Sequence, residues 1–564
     1  MTEAGRSTGR ALRVLTPGAA VFLGFLGLTV LLYALPALSR FGDACVGRCV
    51  PDTSLYVWCM RWMTYALGHG VDPLFSDLVW APQGTNLTWV TSLPGPSFVM
   101  APVTALFGPV VSVNLLMVLA PTLAAWAAFL LTREVTGRTW PSIAGAAVFG
   151  YSTYMGQHMR SHLNLLLILF VPLAVYLVIR HVRGRIGPVA FVALLTLVLV
   201  AQFSVSSEIF ATMTLFAAIA VSGAVAFGGG AIRPRLLRTL PLIASAYALT
   251  AIVISPFLIK ALADAPTGSL RPLEKNSVDL ASFVLPRQTM LVGDDAFARA
   301  TADFPGKPWD DTGYVGVGLL LVVVLYAWED RRDRSAWLLI GFAVVVAVLA
   351  LGPVLHVDGE PTVTMPGRAI AGLPLIQHAL PERFPAYLFL ALAVIAARWI
   401  ATTEGRTPWL RYGLVSVGLV MLLPGQVVES GGRDLRVPPF FQDGTYRRYL
   451  DEGENVLAVP RKLGGDLLWQ AEAEMEFRLA RTYVGPRHPG GLPGLGPLTP
   501  SGERGLPGPA GLRRFLEARR VRAVIVEEPV AGVVRELLDE VLGTRPQSVG
   551  GVTVYDVPED LPAA

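Results

Sequence analysis

Uninterrupted apolar runs recur along three quarters of this chain, and they restrict what it can fold into more than any other feature. The runs "AAVFLGFLGLTVLLYALPAL" and "VGVGLLLVVVLYAW" approach the roughly 20 residues that an α-helix needs to cross the hydrocarbon core of a bilayer. Of the 564 residues, 53% are hydrophobic and 16% charged, against roughly 25% charged in soluble domains. A soluble fold could not hide that much apolar surface. The chain therefore reads as an α-helical polytopic membrane protein.

The periodicity predicts about eleven crossings, at 17–39, 109–132, 139–156, 161–179, 186–203, 206–228, 238–262, 313–328, 336–355, 385–402 and 411–427. Cytoplasmic loops carry the excess of Lys and Arg, so Arg6, Arg10 and Arg13 place the N-terminus inside. With eleven alternating crossings, "TREVTGRT", "RHVRGRIG", "GGAIRPRLLR", "EDRRDRS" and "ARWIATTEGRTPWLR" all fall on the cytoplasmic side. That topology requires residues 92–108, with Pro94, Pro96 and Pro102, to be a juxtamembrane or re-entrant segment. The first run is too long for a signal peptide and lacks a small-residue cleavage site, so it reads as a retained helix.

Four regions then lie outside the cytoplasm: 40–108, 263–312, 356–384 and everything after about 428. We divide the chain into a transmembrane domain, 1–427, which includes the outer loop 40–108, and an extracytoplasmic α/β domain, 428–564. In the latter, "NVLAVP", "RAVIVEE" and "VTVYDV" read as strands and "AGVVRELLDEVLG" as a helix. The Gly/Pro-rich "GPRHPGGLPGLGPLTPSGERGLPGPAG" between them reads as a surface loop.

The outer loop opens with "GDACVGRCVPDTSLYVWCMRW", residues 42–62. Cys45 and Cys49 lie four apart in an oxidising compartment, a spacing that suits a local disulfide. Leu55, Trp58, Met60 and Trp62 suit the buried side of an amphipathic helix lying in the interface. Asp52 follows Pro51 at the start of that helix, where a capping role alone would explain it. The alternative is a catalytic or substrate-contacting role.

The order of features resembles the GT-C superfamily of integral-membrane glycosyltransferases. A first transmembrane helix is followed by an acidic residue in an outer loop, a Trp-x3-Trp pair, "GVDPLFSDLVWAPQGTNL", a Pro-rich juxtamembrane segment and "LLTREVTGRTWPSIAGAAVFGYS". The layout is similar to that of protein mannosyltransferases, lipid A aminoarabinose transferases and actinobacterial arabinofuranosyltransferases. The likeness is strongest over residues 15–230, and "PERFPAYLFLALAVIAARW" is similar to uncharacterised bacterial members. The preference for Arg over Lys and the abundance of Ala, Gly and Pro fit a GC-rich actinobacterial source.

The resemblance implies inverting transfer of a sugar from a polyprenyl-phosphate carrier to a glycan, lipid or protein acceptor at the outer face of the plasma membrane. A carboxylate takes the acceptor's proton, and in that family it comes from the first outer loop. Asp52 is the first candidate and Asp43 the second. Trp58 and Trp62 could offer apolar faces to a sugar or a prenyl chain, or anchor the loop in the membrane.

The leaving phosphate calls for cations. His158, Arg160 and His162 in "YMGQHMRSHLN", and Arg383 in "PERFPAY", lie on the same outer side; each could equally be an interface anchor. Glu208, between two crossings, needs a polar cavity or a partner, or else caps its helix. Asp310 and Asp311 suit the start of a helix more than substrate binding. A metal site at the two histidines is possible, but two ligands without a third are weak grounds for one. No cofactor is implied outright: a monophosphate leaving group can be handled by arginines, whereas a pyrophosphate carrier would favour a divalent metal.

Other classes fit less well. A transporter or flippase of lipid-linked sugars would place its acidic residues near the midplane, within an inverted repeat. A noncatalytic scaffold that binds glycan lipids would not bring Asp52, Arg160 and Glu208 together. No Walker-type loop, zinc ribbon or Ser/His/Asp arrangement stands out. The formal charge of +4 is spread over the cytoplasmic loops, which meet anionic lipid rather than nucleic acid.

Overall fold

The computed structural model describes residues 17–49, 51–229, 232–265, 271–308, 310–373, 376–402, 408–425, 435–485, 498–502 and 506–559. The basic N-terminal residues Arg6, Arg10 and Arg13, and most of the Gly/Pro-rich segment, lie outside the described residues. The chain divides into two compact units. The first is Met1–Pro36, Leu116–Ile254 and Pro266–Gly431; the second is Ala37–Leu115, Ser255–Ala265 and Gly432–Ala564.

Among the described residues, seven helices are long and apolar enough to cross a membrane: Gly18–Arg40, Pro109–Thr136, Leu163–Val182, Pro188–Val205, Ser207–Phe227, Ile232–Ala263 and Pro381–Ala401. Each matches an expected crossing. The other four expected crossings are shorter helices: Thr139–Gly150, Gly316–Glu329, Arg334–Ala350 and Pro408–Met421. At 12 residues, Thr139–Gly150 ends where Tyr151 leaves helical geometry. Ser152 then caps a new short helix, Thr153–His158, by accepting from the Met155 amide.

In the first unit Pro385–Ala401 is buried along nearly its whole length. Small residues allow its neighbour to come close: a side chain at Gly145 would run into the Ala393 carbonyl and the Ala397 methyl. Outside the helices, the buried Asp279 accepts from the amides of Ala281, Asp358 and Gly359 at 2.9, 3.2 and 2.8 Å. It thereby ties the 276–283 segment to the turn of the antiparallel hairpin Val354–Val357 and Glu360–Thr364.

The second unit is built around a five-stranded mixed sheet, ordered Arg478–Leu479, Asn455–Val459, Ala523–Glu527, Val552–Asp556, Gln547–Val549. The first three strands are parallel and the last two pair antiparallel. Side chains alternate across a strand, so Val456, Ala458, Ala523 and Ile525 face one core while Leu457, Val459, Val524 and Val526 face the other. The second core is closed by the helices Pro509–Ala518 and Gly532–Leu542. The first is filled by Phe440, Phe441 and Trp469, together with Leu55, Trp58 and Trp62 from the helix Pro51–His69.

This last contact corrects one expectation. The helix Pro51–His69 does not lie half exposed on a membrane interface: Thr53 to Met60 are all buried. Its other neighbour is the helix Pro94–Phe107, which occupies the segment expected to be juxtamembrane or re-entrant. With 14 residues that helix is about 21 Å long, short of the roughly 30 Å hydrocarbon core. It exposes Phe98, Val99, Leu106 and Phe107. The expected bracket is present as a Cys45–Cys49 disulfide.

Candidate functional site

The polar residues expected on the first unit gather around the start of the helix Ser207–Phe227. Its cap is Ser206, whose hydroxyl accepts from the Ile209 amide at 3.3 Å, so Glu208 is released from that role. The Glu208 carboxylate is ion-paired with the Arg383 guanidinium through Oε2 and Nη1, and Oε1 accepts from the Leu380 amide at 3.2 Å. Both side chains are largely buried, 17% and 15% exposed. The pair uses one of the five N–H donors that a guanidinium carries, and no other side-chain hydrogen bond from Arg383 occurs among the described residues.

His158 and His162 adjoin this pair. Their rings meet edge to face at 5.3 Å, with the two Nδ1 atoms 3.3 Å apart. Tyr154 packs edge-on against His158 at 4.4 Å and donates its hydroxyl to the Leu165 carbonyl at 2.9 Å. Burial, reinforced electrostatically by the neighbouring His162 and Arg383, holds the His158 pKa well below the usual imidazole range. A neutral ring follows. Its Nε2 is buried without a hydrogen-bond partner among the described residues. Arg160, two residues on, is 6% exposed.

Asp310 and Asp311 do not open a helix, since Gly316–Glu329 begins five residues beyond Asp311. Asp311 is instead paired with Arg287 at 2.8 Å, and also accepts from the Ser282 hydroxyl at 2.8 Å and the Gly313 amide at 2.9 Å. Arg287 also donates to the carbonyls of Thr301 and Pro305, at 2.8 and 3.2 Å. Asp310 Oδ1 lies 3.9 Å from His162 Nδ1. Sequence reasoning missed Arg287 and the buried Glu382, because neither sits in a pattern that distinguishes it from a loop charge. Among the described residues no group of three His, Cys, Asp or Glu side chains could hold a metal ion.

The two outer-loop carboxylates belong to the second unit. Asp52 lies in the first turn of Pro51–His69, a favourable place for a negative charge, and Oδ1 accepts from the Tyr483 hydroxyl at 3.0 Å. Asp43 is exposed. It lines a cavity of about 520 Å³ together with Arg40, Arg436, Arg461, Glu527 and Glu528. Trp58 and Trp62 stack on each other at 5.8 Å and are 0% and 3% exposed. Trp58 donates to Gln470 Oε1 at 2.6 Å, and Trp62 to the Pro73 carbonyl at 3.0 Å. They are packing residues of the sheet's core and present no open face to a sugar or prenyl chain.

The fold is shared with solved membrane glycosyltransferases of the GT-C type. The arabinofuranosyltransferase AftD from Mycobacteria superposes with a TM-score of 0.60 at 16% identity, over 96% of this chain and 40% of that one. The chain thus spans about two fifths of that protein's length. The Archaeoglobus fulgidus oligosaccharyltransferase AglB, in complex with an inhibitory peptide and a dolichol-phosphate, matches with a TM-score of 0.51 at 12% identity, over 97% of this chain and 75% of that one. The same archaeal enzyme tethered to an acceptor peptide gives 0.52 at 12% identity, over 96% and 75%. No curated protein matches the sequence. A family model described as a domain of unknown function matches residues 21–425, well over half of the chain, which therefore belongs to the DUF6311 family.

Proposed function

We propose that this protein is a cell-envelope glycosyltransferase that moves a sugar from a polyprenyl-phosphate carrier to an acceptor hydroxyl. Transfer takes place with inversion on the outer face of the plasma membrane, with the N-terminus cytoplasmic and the sheet-bearing unit outside. The observation that carries the reading is the fold likeness to AftD over 96% of the chain. That the archaeal enzyme was solved with a dolichol-phosphate supports a polyprenyl-phosphate carrier.

Arg383 is our candidate for the carrier phosphate, because four of its N–H donors stay available while Glu208 fixes its orientation. His158, neutral and with an unpaired Nε2, can meet a substrate hydroxyl; Arg160 adds positive charge beside it, and His162 adjoins its ring. An outer-loop carboxylate accepts the acceptor's proton as the hydroxyl attacks the anomeric carbon and the carrier phosphate departs. The geometry favours Asp43 over Asp52 in this role. Asp43 is solvent-accessible in a cavity with three arginines, whereas Asp52 already accepts from Tyr483 at a helix terminus.

The test is sugar transfer from a panel of radiolabelled polyprenyl-phosphate sugars by the purified full chain. Asp43→Asn is expected to lower the rate by about 10²- to 10⁴-fold, the usual contribution of a positioned base, with a smaller loss for Asp52→Asn. Arg383→Lys should raise the KM for donor, since a single ammonium does not replace a planar fork. A loss confined to Asp52→Asn would exchange the two roles. Wild-type protein that uses none of the donors would refute the enzyme reading.

A further inference from the structure

A cavity of about 2010 Å³ lies within the first unit. Pockets for small ligands hold about 300–1,000 Å³. Its walls come from the helices Phe170–Val182, Pro188–Val205, Ser207–Phe227, Ile232–Ala263, Arg334–Ala350 and Pro385–Ala401, and are almost wholly apolar. Tyr387 lies in the wall, one turn beyond Arg383.

Chain direction sorts the ends of this cavity. Phe170–Val182 runs out to Arg183, Ser207–Phe227 runs out to Gly228, and Pro385–Ala401 carries Arg398 in its last turn. Ile232–Ala263 starts with Arg233 and Arg235 in its first turn, and Arg334 opens Arg334–Ala350. All five arginines line the cavity, so they mark one end. Glu208 begins its helix, and Arg383 precedes its own, at the opposite end.

The five are not equally occupied. Arg183 pairs with Glu134, and Arg398 with Asp333. Arg233, Arg235 and Arg334 have no carboxylate or hydrogen-bond partner among the described residues, and each stands at a helix N-terminus, where the dipole already favours an anion and opposes a cation. Three uncompensated cations thus rim an almost wholly apolar cavity between membrane-spanning helices. That combination matches a molecule with an anionic head and long apolar chains.

We propose that the cavity holds one anionic phospholipid taken from the leaflet on the arginine side. Its phosphate rests against Arg233, Arg235 and Arg334, and its acyl chains lie between the helices. The site is separate from the carrier-phosphate position at Arg383, which belongs to the other end of the same helices. It does not depend on the chain being a transferase.

The test uses the full-length chain purified in mild detergent, with lipid extraction and native mass spectrometry after titration with phosphatidylglycerol or phosphatidylcholine. One phosphatidylglycerol per chain should be retained in preference to phosphatidylcholine. The combined Arg233→Gln, Arg235→Gln and Arg334→Gln variant should bind it about a hundredfold more weakly, at roughly fivefold per arginine. Gly223 and Gly341 line the cavity with nothing within 4 Å of an added Cβ. Gly223→Phe with Gly341→Phe should therefore displace the lipid while every arginine stays in place. Three results would overturn the proposal: equal retention of phosphatidylcholine, wild-type binding in the filled variant, which would mean attraction at the protein's rim only, or recovery of a polyprenyl phosphate as the resident lipid.

Discussion

Arg287 and Asp311 have 3% and 5% of their side chains exposed, so neither can be rescued by water once the other is removed. Arg287→Ala is expected to cost about 3–5 kcal/mol, the usual penalty for stranding one buried charge, read as a lower unfolding midpoint of the detergent-solubilised protein. Replacing both residues by apolar ones of similar size should cost much less. Asp466 works in the opposite sense. Burial pushes its carboxyl up to about 6, whereas an unfolded chain titrates near roughly 3.9. The folded state therefore holds a proton that the unfolded state has released. This group's contribution to stability falls as pH rises from about 4 to about 6 and stays reduced above that, by on the order of 2–3 kcal/mol. Asp466→Asn should raise the urea midpoint at pH 7 and leave it nearly unchanged at pH 4. Neither effect was legible in the sequence. A charge in a loop looks the same whether it meets Arg287 or water, and Asp466 starts a helix, Gly465–Glu472, whose eight residues are too few to show a period. Glu208 was legible as a costly charge that needed a partner, though the partner lies 175 residues away and no local pattern names it.

Among the elements, the apolar periodicity placed a helix at each expected crossing, and seven of these are long and apolar enough to cross a membrane among the described residues. It also found the three longest strands of the C-terminal sheet, which show as short apolar runs because both of their faces are covered by cores. It misplaced the helix Pro51–His69, since a tryptophan-rich helix reads alike whether a membrane or a sheet covers it. Close approach between elements offers a sharper test. Gly145 sits where Thr139–Gly150 meets Pro385–Ala401, and any side chain there meets the Ala393 carbonyl. Gly145→Leu should force the two helices apart and destabilise the protein by more than the about 1–3 kcal/mol of ordinary overpacking. Gly223→Leu, with open space around it, should be tolerated. Equal tolerance at both positions would show that the first contact is not close.

At the scale of the whole molecule, the run of helix directions in the first unit has a consequence for sidedness. Cysteines placed at Arg235 and Arg334 should react with a membrane-impermeant maleimide from one face only, and one placed at Glu360, on the hairpin beyond Arg334–Ala350, from the other. The native background is low: Cys45 and Cys49 are joined and Cys59 is buried. By the excess of positive charge, the first pair should be cytoplasmic. The hydrogen bond from Trp58 to Gln470 joins residues 412 positions apart, and its consequence is one of timing. At about 5–20 residues per second, the ribosome needs roughly 20–80 s to deliver the partner. For that interval the nascent chain carries Leu55, Trp58 and Trp62 with their covering strands still unmade. Translation arrested before Gln470 should leave this helix exposed to proteases and to the holding chaperones that bind unclothed aromatic surface.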